Sequence, residues 1–306
     1  MQLAVLCDPE SWYFRDLARA GQRSGDRITS LAFSDLTAVA DGPRLVVPAL
    51  DGFDGVLVRT MPPGSLEQVV FRMDCLAQLA EQGVPVLNRP RAIEIAVDKF
   101  LSTALLARHG VPTPRTICCQ TADQAMDAYV QLGSDVVIKP LFGGEGRGIT
   151  RVNDEAIMLR VAKTLAQLDS VLYLQEFVAH EGADIRVLRI GETFHAIRRR
   201  NPHDWRTNVS RGATAEPITL DAELLELARR SAEIVSADIA GVDVLESRDG
   251  RRLVLEVNAV PGWKALAQTL NVDIAAETLE FIRSCGREMM ERAGNAPSDC
   301  QAPGLG

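Results

Sequence analysis

Short apolar runs alternate with longer amphipathic ones along the first ninety positions. Residues 3–7 and 55–58 read as buried strands, 10–23 and 65–82 as helices, and 84–87 as a third strand. Ser65 and Gln68 have the spacing of a capping box, and Gly83 stops that helix. Strand–helix alternation of this kind predicts a small parallel sheet, whose ligands sit beyond the strand carboxyl ends. Arg59 follows one such end and is a candidate anchor for a substrate carboxylate; a solvated surface arginine is the plainer alternative. A helical stretch from Asn88 then carries Asp98-Lys99-Phe100 and ends at Gly110. Residues 111–116, stiffened by two prolines, follow as an extended connector near a domain boundary.

Residues 135–152 read DVVIKPLFGGEGRGITRV. An apolar run ends in Lys139, four glycines (Gly143, Gly144, Gly146, Gly148) fill a six-residue loop, and a second apolar run begins at Ile149. Backbone N–H groups can approach a ligand closely in such a loop, and a neighbouring lysine adds charge, which suits phosphate. No Lys-Ser/Thr follows the last glycine, so the loop is no Walker motif. A strand rather than a helix follows, so it is no dinucleotide fingerprint. The pattern predicts strand, lid, strand; a plain glycine hairpin with a surface lysine is the alternative.

Beyond the lid, 154–168 reads as a helix and 171–178 as a central strand interrupted by Glu176. A carboxylate there is costly unless paired or facing a ligand. Strands at 185–190 and 194–197 run into Arg198, Arg199 and Arg200, which read as a solvated basic edge. A donor-rich loop holds Trp205, Arg206, Thr207, Asn208 and Arg211, and 221–235 has the apolar spacing of a core-facing helix.

The hairpin after it is the most informative. Asp249-Gly250 is a strong two-residue turn signal. Counting back from it sets Asp243 opposite Glu256, each within an apolar run. Like charges so placed repel unless a cation lies between them, and Asn258 points to the same face as Glu256. Three oxygen donors on one face suit Mg²⁺; the alternative is a buried arginine on one carboxylate.

The 306 residues are 46% hydrophobic and 24% charged, ordinary for a globular chain of about two domains. A net charge of −8 and a pI near 5.2 argue against a chiefly electrostatic nucleic-acid binder. Six scattered cysteines, with no CxxC or HExxH, point to reduced thiols in the cytoplasm and no zinc. No signal peptide or membrane span is expected, and residues 293–306 read as a disordered tail.

Asp98-Lys99, IKP with GGEGRG, QEFV followed by Asp184–Arg186, WRTNVSRG, and GVD with LEVNAVPGW occur in one order. Together they resemble the ATP-grasp superfamily, in its RimK-type amino-acid ligases, over about residues 88–276. The branch that attaches glutamate to tetrahydromethanopterin-type cofactors is the nearest in pattern. The resemblance implies an α/β (α+β) ATP-grasp fold: an N-terminal domain at 1–97 and a grasp domain at 98–292, with a lid at about 112–174 and a C-terminal subdomain at about 175–292. It implies ATP with Mg²⁺ (or Mn²⁺), two ions in number, and a soluble homo-oligomer acting on L-glutamate and a small-molecule carboxylate. By resemblance, Lys99 and Lys139 hold the phosphates, Gly143, Gly144 and Gly146 close over them, and Glu176 and Phe177 receive adenine. Asp184 meets the ribose, Arg206 and Asn208 the γ-phosphate and the reacting acid, and Asp243, Glu256 and Asn258 the metal. Arg59, Arg199 and Arg211 are substrate candidates. The reaction implied is amide formation through an acyl phosphate. Alternatives are glutamylation of a protein C-terminus or an amino-acid biosynthesis substrate, a small-molecule kinase, or a silent nucleotide sensor.

Overall fold

The computed structural model describes residues 1–42, 44–144, 146–207 and 212–294. The chain divides into two compact units, one built from 1–87 with the segment from Ala275 onward, the other from 88–274.

In the first unit, β1 (Gln2–Leu6), β2 (Arg27–Leu31), β5 (Gly55–Val58) and β6 (Val86–Leu87) form a parallel sheet in the order β2-β1-β5-β6. The helices α1 (Trp12–Ser24) and α2 (Leu66–Glu81) complete the expected alternation, and Ser65 and Gln68 form the capping box. A small antiparallel ribbon, β3 (Val39–Asp41) and β4 (Arg44–Val46), lies between them in sequence. The long final helix, labelled α9 below, belongs with this unit from Ala275 on, where the sequence reading grouped it with the grasp domain. Its Ile282 lies against Gly55, and Arg283 pairs with buried Asp26 at 2.7 Å. The tail from 295 lies outside the described residues.

The second unit begins with α3 (Pro90–Val97) and α4 (Lys99–Arg108). The single helical stretch expected here breaks at Asp98. Its extended backbone ends α3, and its carboxylate caps α4 by accepting from Leu101 N at 2.9 Å. A four-stranded antiparallel sheet follows, ordered β7 (Thr116–Cys119), β10 (Leu172–Glu176), β8 (Val136–Lys139), β9 (Thr150–Val152). The strand–lid–strand reading holds, since β8 pairs with β9 across the glycine loop. Strand pleating sorts this sheet into two faces. Val136, Ile138, Leu172 and Leu174 pack on α5 (Ala122–Gln131) and α6 (Glu155–Gln167). Val137, Lys139, Tyr173, Gln175 and Thr116 share the other face.

A five-stranded antiparallel sheet completes the unit, ordered β13 (Thr214–Pro217), β12 (Thr193–Arg200), β11 (Ala183–Ile190), β14 (Ile239–Glu246), β15 (Arg252–Asn258). Buried Leu224, Ala228, Ala232 and Val235 give α7 (Ala222–Val235) its core-facing stripe. After β15 come α8 (Lys264–Leu270) and α9 (Ile274–Gly294).

The hairpin count needs a correction that leaves its outcome intact. Asp243 does face Glu256, but the turn is not a two-residue one. Ser247 N donates to Arg251 O, which leaves a three-residue loop, Arg248 to Gly250, with Gly250 at φ +83°. That shifts the register by one residue, so Glu246 faces Arg252. A bulge next to Asp243 and Val244, with Leu255 as the extra residue, shifts it back. At the base of the hairpin, buried Asn88 donates to Ile239 O at 2.6 Å and Ala259 O at 2.5 Å, and accepts from Ile239 N at 3.0 Å. The two strand ends are thereby fixed independently of the turn.

Candidate functional site

A row of charge crosses one face of the five-stranded sheet. Cross-strand pairing aligns Arg199 with Asp184, Arg186 with Asp243, and Asp243 with Glu256. Arg199 clamps Asp184 at 2.7 and 2.5 Å and reaches Asp243 at 3.0 Å. Arg186 grips Asp243 through both oxygens, Nη2 to Oδ2 at 2.7 Å. The arginine run is therefore not a uniformly solvated edge. Pleating exposes Arg200 and turns Arg199 inward, where 6% of its surface remains accessible. Gly241 gives Arg186 its room, because a Cβ there would lie 3.0 Å from Nη1.

Burial alone would raise Asp243, but the two guanidinium groups outweigh it and hold this carboxyl well below the usual range. Asp184 moves upward, driven by burial and opposed by Arg199. Arg199 is desolvated, yet the two carboxylates raise it above the ordinary arginine value. Glu256 has no guanidinium in the row; Asn258 Nδ2 donates to its Oε1 at 2.9 Å.

The pocket floored by this row is walled by Pro114, Val137, Ile149, Phe177, Val178 and Trp205, with Lys139, Gln175, Glu176 and Glu256 among its polar lining. Phe177 meets Trp205 edge-on, and the guanidinium of Arg151 lies 3.5 Å from the Phe177 ring centre. Glu176 Oε1 accepts from Arg115 N at 2.9 Å, which pairs the carboxylate that interrupts β10. Arg206 is held by Asp204 at 2.6 and 2.9 Å.

Lys99 is buried, although an isolated Lys99 reads as a surface residue, and Lys139 is half-buried. Burial pulls Lys139 down to about 8, against the attraction of Glu256 and Asp243. Lys99 is lowered too, by burial, with Glu256 opposing. Lys99 Nζ reaches back to the lid, donating to Gly143 O at 2.5 Å, and Gly146 lines the pocket. Asn208 and Arg211 lie outside the described residues. Arg59 belongs to the first unit, where it is buried with its guanidinium 4.9 Å from the Tyr13 ring centre and is lowered to about 10 by desolvation.

Arg186 and Gln175 received no role in the sequence reading. Alternation could have found both: Arg186 is two residues from Asp184, and Gln175 is a polar break in an apolar strand on the lysine's face.

Asp243, Glu256 and Asn258 fit a hard cation. A carboxylate offers about four lone-pair sites. Arg186 and Arg199 take three on Asp243, which leaves one on Oδ2. Glu256 and Asn258 are adjacent on the neighbouring strand and contribute oxygen donors. Among the described residues no group of three or more His, Cys, Asp or Glu is arranged around a metal position, and no helix is long and apolar enough to cross a membrane.

Comparison with known proteins identifies the family. Residues 96–282 match the RimK-like ATP-grasp domain. A tetrahydromethanopterin:α-L-glutamate ligase of Methanosarcina acetivorans is 32% identical over 92% of this chain and 98% of its own. An α-aminoadipate–LysW ligase of Saccharolobus solfataricus is 35% identical over 66% of this chain and 76% of its own. The solved RimK-domain ATP-grasp protein of Sphaerobacter thermophilus shares the fold, with a TM-score of 0.70 at 22% identity over 92% of this chain and all of that one. The chain belongs to the RimK-like ATP-grasp family and is an ATP-dependent carboxylate–amine ligase.

Proposed function

We propose that the protein joins the α-amino group of L-glutamate to a carboxylate on a small molecule or cofactor of the tetrahydromethanopterin type, in the cytoplasm. Relatives named for that reaction in three methanogens, at 32–34% identity, support the substrate class. The observation that carries the reading is an imbalance in the pocket. Buried Lys99 and half-buried Lys139 act on Glu256, a carboxylate with no guanidinium partner among the described residues, and Lys139 and Glu256 lie beside an apolar, aromatic wall. That suits a nucleotide whose base is apolar-faced and whose phosphates are anionic.

A substrate carboxylate oxygen attacks the γ-phosphorus of ATP, the bond to the bridging oxygen breaks, and acyl phosphate and ADP result. The glutamate amine then attacks the acyl carbon. The bond to phosphate breaks, and the proton shed by the amine leaves with phosphate or to solvent. Lys139 and Lys99 offset phosphate charge from two sides, and Arg206, released from Asp204, adds to them as the bond breaks. Phe177 and the backbone of Glu176 receive adenine. The loop of Gly143, Gly144 and Gly146 excludes water that would hydrolyse the acyl phosphate. Asp243, Glu256 and Asn258 would hold Mg²⁺, which when bound supplies positive charge against the phosphate oxygens. Because Arg199 is buried against Asp184 and Asp243, we assign it to the scaffold of the site rather than to substrate.

The test is phosphate release from ATP and Mg²⁺ with glutamate and candidate acids, read with the product mass. Release that requires both acid and glutamate, with a mass gain of one glutamyl residue, is the expected result. A stable phosphorylated product, or ATP binding with no turnover on any acid, would sink it.

A further inference from the structure

The polar face of the sheet that carries Lys139 holds a chain of hydrogen bonds outside the reaction just described. Lys139 Nζ donates to Gln175 Oε1 at 2.7 Å. The Gln175 amide nitrogen donates to Thr116 Oγ1 at 3.0 Å and to Tyr173 Oη at 3.2 Å. Tyr173 Oη in turn meets Thr103 Oγ1 at 3.0 Å.

The direction of this chain is set at its Thr116 end. Thr116 gives its hydroxyl proton to the Pro114 carbonyl at 3.0 Å, so its oxygen is left to accept. The NH₂ of Gln175 must therefore face Thr116, which turns the amide oxygen toward Lys139. Tyr173 also accepts from that NH₂, and its oxygen shares a hydrogen bond with Thr103 in which either hydroxyl can donate. Gln175, Tyr173 and Thr103 are buried, which shields the Gln175–Tyr173 and Tyr173–Thr103 bonds from bulk water; the bonds to Lys139 and Thr116 are half-buried. Thr103 lies four residues after Lys99 on α4, on the same side of the helix. One chain of bonds thus ties the helix bearing one lysine to the strand bearing the other.

The residue type at 175 decides what Lys139 can do. A carboxylate would neutralise the ammonium and would have no proton for Thr116 or Tyr173. An apolar side chain would leave a desolvated ammonium without an acceptor. A neutral amide anchors Nζ and leaves its unit charge available to an anion.

We propose that Gln175 is a positioning residue that holds the Lys139 ammonium in place for a nucleotide phosphate, with no carboxylate in contact with it among the described residues, its amide orientation enforced by Thr116 and Tyr173. The proposal rests on Lys139 as a phosphate-binding residue.

A double-mutant cycle on ATP binding by the full chain tests it, with Gln175→Met and Lys139→Met made singly and together. Lys139→Met should weaken ATP binding about ten- to a hundredfold, and Gln175→Met about tenfold in the wild-type background, the range for a hydrogen bond to a charged group. In the Lys139→Met background, Gln175→Met should change nothing. Tyr173→Phe, which keeps the ring and removes one bond, should raise KM for ATP about two- to fivefold with KM for acid and glutamate unchanged. It decides the matter if Gln175→Met does not fold. Equal losses from Gln175→Met with and without Lys139 would overturn the positioning role while leaving Lys139 as a phosphate ligand. Unchanged ATP affinity in Lys139→Met would overturn both.

Discussion

The unit spanning 88–274 buries charge in two ways. In the row across the five-stranded sheet, two carboxylates are matched by two guanidinium groups, with five contacts among them. On the lid sheet a half-buried ammonium is met, among the described residues, by one neutral amide oxygen. Both arrangements satisfy hydrogen bonds, but only the first satisfies charge. A compensated cluster spends most of its capacity on fixing the strands around it, with one position on Asp243 Oδ2 left for a ligand. An ammonium on an amide keeps its field, so the fold tolerates a cost that an incoming anion would relieve.

That contrast predicts opposite stability behaviour when each cation is removed. Arg199→Met takes the guanidinium from Asp184, leaving it the Thr207 hydroxyl, and weakens the hold on Asp243. Breaking a buried pair from one side costs about 3–5 kcal/mol, and chemical denaturation should show a loss of that size. The loss should also deepen with pH. Asp184 is already raised by burial, and without Arg199 it rises further. The folded state then binds more protons than the unfolded one, so stability falls as pH climbs above the ordinary carboxylate range. Equal deficits at pH 5 and pH 8 would show that the pairing is not what Arg199 supplies.

Lys139→Met comes next in size and differs in kind. Replacing a desolvated ammonium by an apolar chain of similar length should leave thermal stability unchanged or raised, while ATP affinity drops about ten- to a hundredfold. A variant that loses stability as Arg199→Met does would erase the distinction between the two sites.

A subtler probe is the pH dependence of kcat/KM for ATP. Burial lowers Lys139 from 10.5 to about 8 in the free protein. The charged form is the one that attracts phosphate, so kcat/KM should fall as pH rises through about 8, approaching tenfold per pH unit. Stability should move the other way. Between about 8 and 10 the unfolded lysine holds a proton that the folded one has lost, so unfolding free energy rises with pH. Lys139→Arg should push the activity limb beyond the accessible range. A limb that stays near 8 in that variant belongs to another group.

How much of this could be read from the chain depends on the range of the interaction. The parallel sheet, the strand–lid–strand and the Asp243–Glu256 juxtaposition follow from local periodicity and turn chemistry, which act over a few residues. The break at Asp98 was hidden because a cap and a continuing helix share the same apolar spacing. The burial of Lys99 and Arg199 was hidden because it depends on partners 42 and 15 residues away. Asp184 and Asp243 could be recognised as buried acids; that arginines rather than a ligand meet them required the sheet order β12-β11-β14.

The hairpin offers the smallest and most specific test, because its register came out as expected for an incomplete reason. A three-residue loop alone would set Asp243 opposite Leu255, and the bulge restores Glu256. If the turn dictated register, loosening it would let the strands slip and would disturb the charged row. Gly250→Ala loosens it, since φ is +83° and the space around a Cβ is otherwise open, so the cost is backbone strain of about 1 kcal/mol. The three hydrogen bonds of Asn88 grip the far ends of both strands, and Arg186 grips Asp243 between them and the turn. Gly250→Ala should therefore lower the melting temperature by a few degrees and leave ATP affinity and turnover at wild-type values. Activity that falls with stability in this variant would mean that the turn, not the base of the hairpin, holds Glu256 against Asp243.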